Sequence, residues 1–166
     1  MLDQRLFDAL ELNDVSHRIC PISPAFPEQP RNGKSVVGLA ETPENEVQYF
    51  GCATGIWEED GRILSITEFA EKPSAEYAQE HLATRDVKEG HYLTLFGQYI
   101  LTPRIFELLD DNIKHNMRKG GEFQLTSCMD TLRQEEGFVG FRIQGRRFDI
   151  GIPEAYRQTV FDYRNA

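Results

Sequence analysis

The stretch CPISPAFPEQPRNGKS, residues 20–35, decides where regular structure can form in this chain. Four of the eight prolines fall in it at three-residue spacing, Pro21, Pro24, Pro27 and Pro30. Each proline fixes φ at about −65° and lacks a backbone N–H, so the segment cannot be a helix or a central strand and reads as an extended loop. Ahead of it, LDQRLFDALELND places Leu2, Leu6, Phe7, Leu10 and Leu12 near helical spacing, which predicts a short helix. The chain thus divides into residues 1–34, a short helix plus a proline-rich loop, and residues 35–166, where the pattern changes to alternating strands and helices.

That second part carries readable signals in order. SVVGLAE reads as a short buried strand. EVQYFGCATGIW and RILSITEFAEK read as two strands flanking Glu58-Glu59-Asp60-Gly61, whose Asp-Gly pair is a strong hairpin signal. SAEYAQEHLATRD reads as a helix and HYLTLFGQYIL as a strand rich in β-formers. Thr102-Pro103 opens a helix with Ile105, Phe106, Leu108 and Leu109 on one stripe, and Leu125, Cys128, Met129 and Leu132 follow at i, i+3, i+4, i+7 as a second amphipathic helix. FVGFRIQGRRFDIG predicts two short strands about Gln144-Gly145, and Pro153 opens a last helix with Tyr156, Val160 and Tyr163 on one side. Alternation over most of the chain predicts an α/β domain, a mixed-sheet α/β sandwich.

Charge and cysteine usage narrow the partners. The net charge of −9 and isoelectric point near 4.9 argue against nucleic acid or an anionic membrane, which are bound by clustered Lys and Arg that this sequence lacks. No apolar run of about 18 residues and no basic start with an apolar core follow, so a soluble cytoplasmic protein is expected. Cys20, Cys52 and Cys128 are odd in number, widely separated and without C-x-x-C spacing, and are expected to be small buried residues. The four histidines are equally scattered, which argues against a histidine metal centre.

Five short blocks remain, in this order: YFGCA (49–53), FAEKP (69–73), FGQYILTPRIF (96–106), GGEFQLTSCMDTL (120–132) and RRFDIGIPEAY (146–156). Together they resemble the C-terminal half of the sugar-1-phosphate nucleotidyltransferases, most closely the bacterial UTP-glucose-1-phosphate uridylyltransferases. That family carries Tyr-Gly, Val-Glu-Lys-Pro, Gly-Arg-Tyr-Val/Ile, Gly-Glu-Ile-Gln-Leu-Thr-Asp and Asp-x-Gly in the same order. Each tag alone is weak; the order over roughly residues 36–160 carries the resemblance.

The resemblance implies a role for each matched position. Glu71 hydrogen-bonds sugar hydroxyls and Lys72 meets the sugar phosphate, the pairing that an acceptor-only carboxylate and a compact ammonium suit. Adjacent strand residues point to opposite faces, so both reach one ligand only if the strand ends or bends there, and Pro73 is expected to end it. Glu-Lys-Pro is equally readable as a charged strand end before a breaker. Gly51 lets backbone approach the sugar, while Phe50 stands where the family has tyrosine. Tyr99 is a sugar contact or a core strand aromatic, and Gln98 replaces the family's arginine. Glu122 and Gln124 are site residues or helix-capping residues. Asp149 is a Mg²⁺ ligand of catalytic importance, or a turn former before Gly151.

Two departures bound the function. SAEYAQEHLATRDVKEGHY replaces a shorter link that carries Pro-Ser-Asn in the family. No Gly-x-Gly-Thr-Arg-x-x-Pro loop, which in the family cradles the nucleotide triphosphate, occurs in the 166 residues. The expectation is a partial, Rossmann-like nucleotidyltransferase domain lacking its N-terminal nucleotide-binding half. It would bind glucose 1-phosphate or a related sugar phosphate, reach UTP only through that other half, use Mg²⁺ in a full-length enzyme forming UDP-glucose, and be inactive by itself. An uncovered sheet edge would make it a homo-oligomer. The alternative is a non-catalytic sugar-phosphate-binding or assembly module of the same descent.

Overall fold

The computed structural model describes residues 33–58, 61–118, 121–143 and 153–163. The helix expected within residues 2–14, the proline-rich loop, Cys20, the Gln144-Gly145 turn and Asp149 lie outside the described residues. In order come β1 (Ser35–Pro43), a 3₁₀ helix (Glu44–Tyr49), β2 (Gly51–Trp57), β3 (Ile63–Glu71), α1 (Ala75–His81), β4 (His91–Ile100), α2 (Arg104–Lys114), α3 (Leu125–Glu136), β5 (Phe138–Arg142) and α4 (Pro153–Tyr163).

Most expected elements form where the pattern placed them. The hairpin between β2 and β3 closes through Glu58 N–H to Ile63 O at 2.8 Å, with Gly61 at φ +63°. The exception is Glu46–Tyr49, expected to open a strand and found in the 3₁₀ helix. Pro43 ends β1 and starts this turn at φ −59°, Glu44 and Glu46 sit favourably at its N-terminus, and Val47 turns inward to full burial against Cys52, Ala78, Leu82 and Tyr92. Burial of one apolar residue outweighed a weak strand preference.

The sheet is mixed, as expected: β5 runs parallel to β1 and every other pairing is antiparallel. It is not an open sandwich sheet. The strands close in the order β1–β4–β2–β3–β5 and back to β1, a five-stranded barrel. Register shifts between Val37 and Leu39 and between Thr54 and Gly55 supply local curvature of the kind bulges give. At the second, a Cβ on Gly55 would lie 2.2 Å from the Ser65 carbonyl oxygen, so only glycine lets the strands pass this closely. Each described strand has a neighbour on both sides, and the uncovered edge behind the oligomer expectation is not found among the described residues.

Helix α3 packs on β3 and α2 packs on α3, and together they seal the main core. Ile105, Leu108 and Leu109 from α2 meet Cys128, Met129 and Leu132 from α3 over Leu39, Leu64, Phe69 and Phe138, where Phe69 and Phe138 pack edge to face at 5.1 Å. Each fully buried side chain of this size contributes about 1.5–3 kcal/mol. Arg104 at the start of α2 ties the pair together with a two-pronged bond to Glu135 at 2.8 and 3.0 Å. Cys52 and Cys128 are buried thiols outside any disulfide, as small buried residues were expected to be. In α4, Tyr156, Val160 and Tyr163 are all exposed. No described helix is long and apolar enough to cross a membrane.

Candidate functional site

The covering of β3 by α3 brings the end of that strand to the beginning of that helix. Glu71 is the last residue of β3 and pairs directly across the sheet with Gly51, the first residue of β2. A Cβ on Gly51 would lie 3.1 Å from Glu71 Oε2 and 2.7 Å from Leu95 Cδ1, so the missing side chain is what leaves room for the carboxylate. The α3 N-terminal turn approaches from the other side. Thr126, in that turn and 8% exposed, donates its hydroxyl to Glu71 Oε2 at 2.5 Å.

Around this meeting point opens a cleft of about 500 Å³, lined in part by Tyr49, Phe50, Gly51, Glu71, Tyr99 and Phe123. Glu122 and Gln124 complete the polar side. Five residues singled out from four separate sequence blocks, Gly51, Glu71, Tyr99, Glu122 and Gln124, are thereby brought together. Gln124 stands at the N-cap position of α3 and makes no capping side-chain bond, and its buried Oε1 has no hydrogen-bond partner among the described residues. Glu122 precedes the cap and is exposed. The capping reading of this pair therefore does not describe Gln124. Tyr99 packs on the core, as the strand-aromatic reading has it, and also lines the cleft. Burial first, and the Glu71 carboxylate second, push its phenol up to about 12.

Lys72 lies beside the cleft and is exposed; it is not part of the lining. Its backbone adopts φ +46°, the left-handed region that a lysine rarely enters, and its N–H donates to the Phe50 carbonyl at 3.1 Å. The chain thus bends at Lys72 itself, one residue before Pro73. Pro73 follows it, buried, and helps wall a neighbouring cleft.

Sequence reading missed Thr126, Tyr49, Phe96 and Phe123. Thr126 lay in view inside the QLT tag but was passed over for its polar neighbours. Tyr49 restores a phenol at the edge where Phe50 had seemed to remove one. Phe123 carries Arg118 stacked over its ring at 4.1 Å, a contact no spacing rule would have found. Among the described residues no group of three His, Cys, Asp or Glu could hold a metal ion.

The described fold is similar to that of solved UDP-glucose pyrophosphorylases. A solved UDP-glucose pyrophosphorylase complexed with UDP-glucose superposes with a TM-score of 0.62 at 29% identity, covering 81% of this chain and 45% of the other. The UTP–glucose-1-phosphate uridylyltransferase of Streptococcus pneumoniae is 31% identical over 133 residues, and that of Pseudomonas aeruginosa 33% identical over 132. These matches take in 80% and 79% of this chain but 40% and 42% of the enzymes, so the chain spans about two fifths of the curated relatives' length. No protein-family model matches the chain. The resemblance read from the sequence is therefore found: over four fifths of its length the chain is similar to UTP–glucose-1-phosphate uridylyltransferases, in their C-terminal part.

Proposed function

We propose that the chain is the sugar-phosphate-binding portion of a nucleotidyltransferase that joins UTP and glucose 1-phosphate into UDP-glucose and pyrophosphate. The observation that carries this reading is the convergence of Gly51, Glu71, Tyr99, Glu122 and Gln124 on one cleft. Glu71 is an acceptor, and the unpartnered Gln124 Oε1 is a second. Two acceptors beside aromatic walls suit a ring bearing neighbouring hydroxyls. Lys72, held at the rim by its left-handed backbone, supplies a positive charge for the phosphate.

In the joined reaction the sugar phosphate attacks the α-phosphorus of UTP in line, and this chain's part is to position and neutralise the attacking group. A Mg²⁺ ion would supply charge neutralisation at the phosphates, with Asp149 as this chain's ligand to it. None of the 166 residues forms the glycine-rich loop that the resemblance assigns to triphosphate binding, which leaves no group here to stabilise charge at the α-phosphorus. The isolated chain is accordingly a binder without turnover. The same reading makes it a soluble cytoplasmic protein with neither nucleic acid nor membrane as partner, in keeping with its charge of −9.

The test has two arms. Ligand-observed NMR should show glucose 1-phosphate bound at millimolar strength and free glucose more weakly, on the scale set by one lost charge-assisted bond of about 1.5–3 kcal/mol. The chain alone should form no UDP-glucose; the N-terminal part of the Pseudomonas aeruginosa relative, fused or supplied separately, should create Mg²⁺-dependent turnover that Asp149→Ala lowers by orders of magnitude. Turnover by the chain alone would refute the assignment of roles. Sugar-phosphate binding with no turnover in any combination would instead establish the non-catalytic module.

A further inference from the structure

Glu71, Gln124 and Thr126 form a wall with a cleft on each side. Beyond it from the aromatic cleft lies a second hollow of about 470 Å³, lined by Phe69, Pro73, Ser74, Tyr77, Ser127 and Asp130 together with the three wall residues. A glutamate at the end of a strand can turn toward either. What fixes it is the hydroxyl of Thr126, whose direction is set by the helix: Thr126 sits at the second position of α3, its χ1 is restricted by β-branching, and Cys128 and Met129 anchor that turn in the core.

We propose that Thr126 is a positioning residue that holds the Glu71 carboxylate on the aromatic side of this wall. This rests on the reading of the aromatic cleft as the sugar-phosphate site. Thr126 Oγ1 donates to Oε2, the oxygen that lies against the Gly51 backbone, which leaves Oε1 to receive a ligand proton. A hydrogen bond to an ionised acceptor is short and strong, enough to outweigh the rotamer freedom of one glutamate. The helix end adds to it. No acidic residue occupies the first turn of α3 and no side chain caps it, so the anion that a helix N-terminus favours arrives from β3. Without the Thr126 hydroxyl, Oε2 has lost its donor, and the carboxylate is free to turn toward the second hollow.

Thr126→Val keeps the shape and removes the donor, and Thr126→Ser keeps the donor. Apo crystal structures of the full chain should show the Glu71 carboxylate displaced from Gly51 in Thr126→Val and in place in Thr126→Ser. In NMR titrations with glucose 1-phosphate, Thr126→Val should weaken binding at least tenfold, Thr126→Ser less than threefold, and all three proteins should melt within a few degrees of one another. A Glu71 that stays put in Thr126→Val, or equal binding by Val and Ser variants, overturns the proposal. Wild-type protein that binds no sugar phosphate refutes the reading of the cleft, and the apo structures then decide the role of Thr126 unaided.

Discussion

The two hollows on either side of the Glu71 wall are nearly equal in size and differ in how their polar groups are spent. In the second, Asp130 receives bonds from Arg133 and Gln134 at 2.8 Å each, Tyr77 donates to Glu68 at 2.6 Å, Ser74 caps α1, and Ser127 donates to the Gln124 carbonyl. Those bonds, outweighing the cost of its burial, hold the Asp130 carboxyl below the usual carboxylate range. In the first, among the described residues, Gln124 Oε1 has no partner and Glu71 is held through Oε2 by Thr126. A surface whose donors and acceptors already satisfy one another serves the fold. A cleft that keeps an acceptor unspent beside aromatic walls suits the proposed ligand, which would bring the donor, because leaving such an atom buried and bare costs about 1–3 kcal/mol.

The sharpest way to break this contrast is to neutralise one carboxylate from each side. Glu71→Gln should weaken glucose 1-phosphate binding by about 10- to 150-fold, the loss of one charged hydrogen bond, with a small change in melting temperature. Asp130→Asn should leave binding unchanged and cost less than about 1 kcal/mol of stability, since its partners are partly exposed to water. Isothermal titration and thermal melts of both variants give the answer; an Asp130→Asn that loses the ligand would mean the wrong hollow was chosen.

A smaller effect separates charge from backbone at the rim. Lys72→Ala and Lys72→Gly both remove the ammonium and should weaken glucose 1-phosphate equally while sparing free glucose. Only glycine relieves the left-handed backbone, and Lys72→Gly should exceed Lys72→Ala in stability by about 1 kcal/mol in urea unfolding. Equal stability of the two variants would show that position 72 is not held at positive φ.

The smallest effect is a pH dependence. The Tyr99 phenol ionises near 10 when unfolded and at about 12 when folded, so the unfolded chain gives up its proton first as the pH rises. Its contribution to stability is complete below pH 10 and disappears between pH 10 and 12. Tyr99→Phe should flatten that part of the urea-midpoint profile. An unchanged profile would place Tyr99 outside the buried wall of the cleft.

Periodicity was enough to locate every described strand and helix except the 3₁₀ turn at Glu44–Tyr49, because hydrophobic spacing reports directly which face a segment buries. Ordered tags were enough to name Gly51, Glu71, Tyr99, Glu122 and Gln124. Closure of the sheet was not legible, since it depends on β5 finding both β1 and β3, pairings between residues far apart in the chain. The Thr126–Glu71 bond spans 55 positions, and a threonine in the first turn of an amphipathic helix looks like any other until the strand end is laid beside it. Local sequence determines what each segment can be, through dihedral preference and burial. Which two segments share a wall, and which oxygen of Glu71 remains free, was decided by the packing of α3 on β3, because that packing alone sets a distance between residues the chain keeps apart.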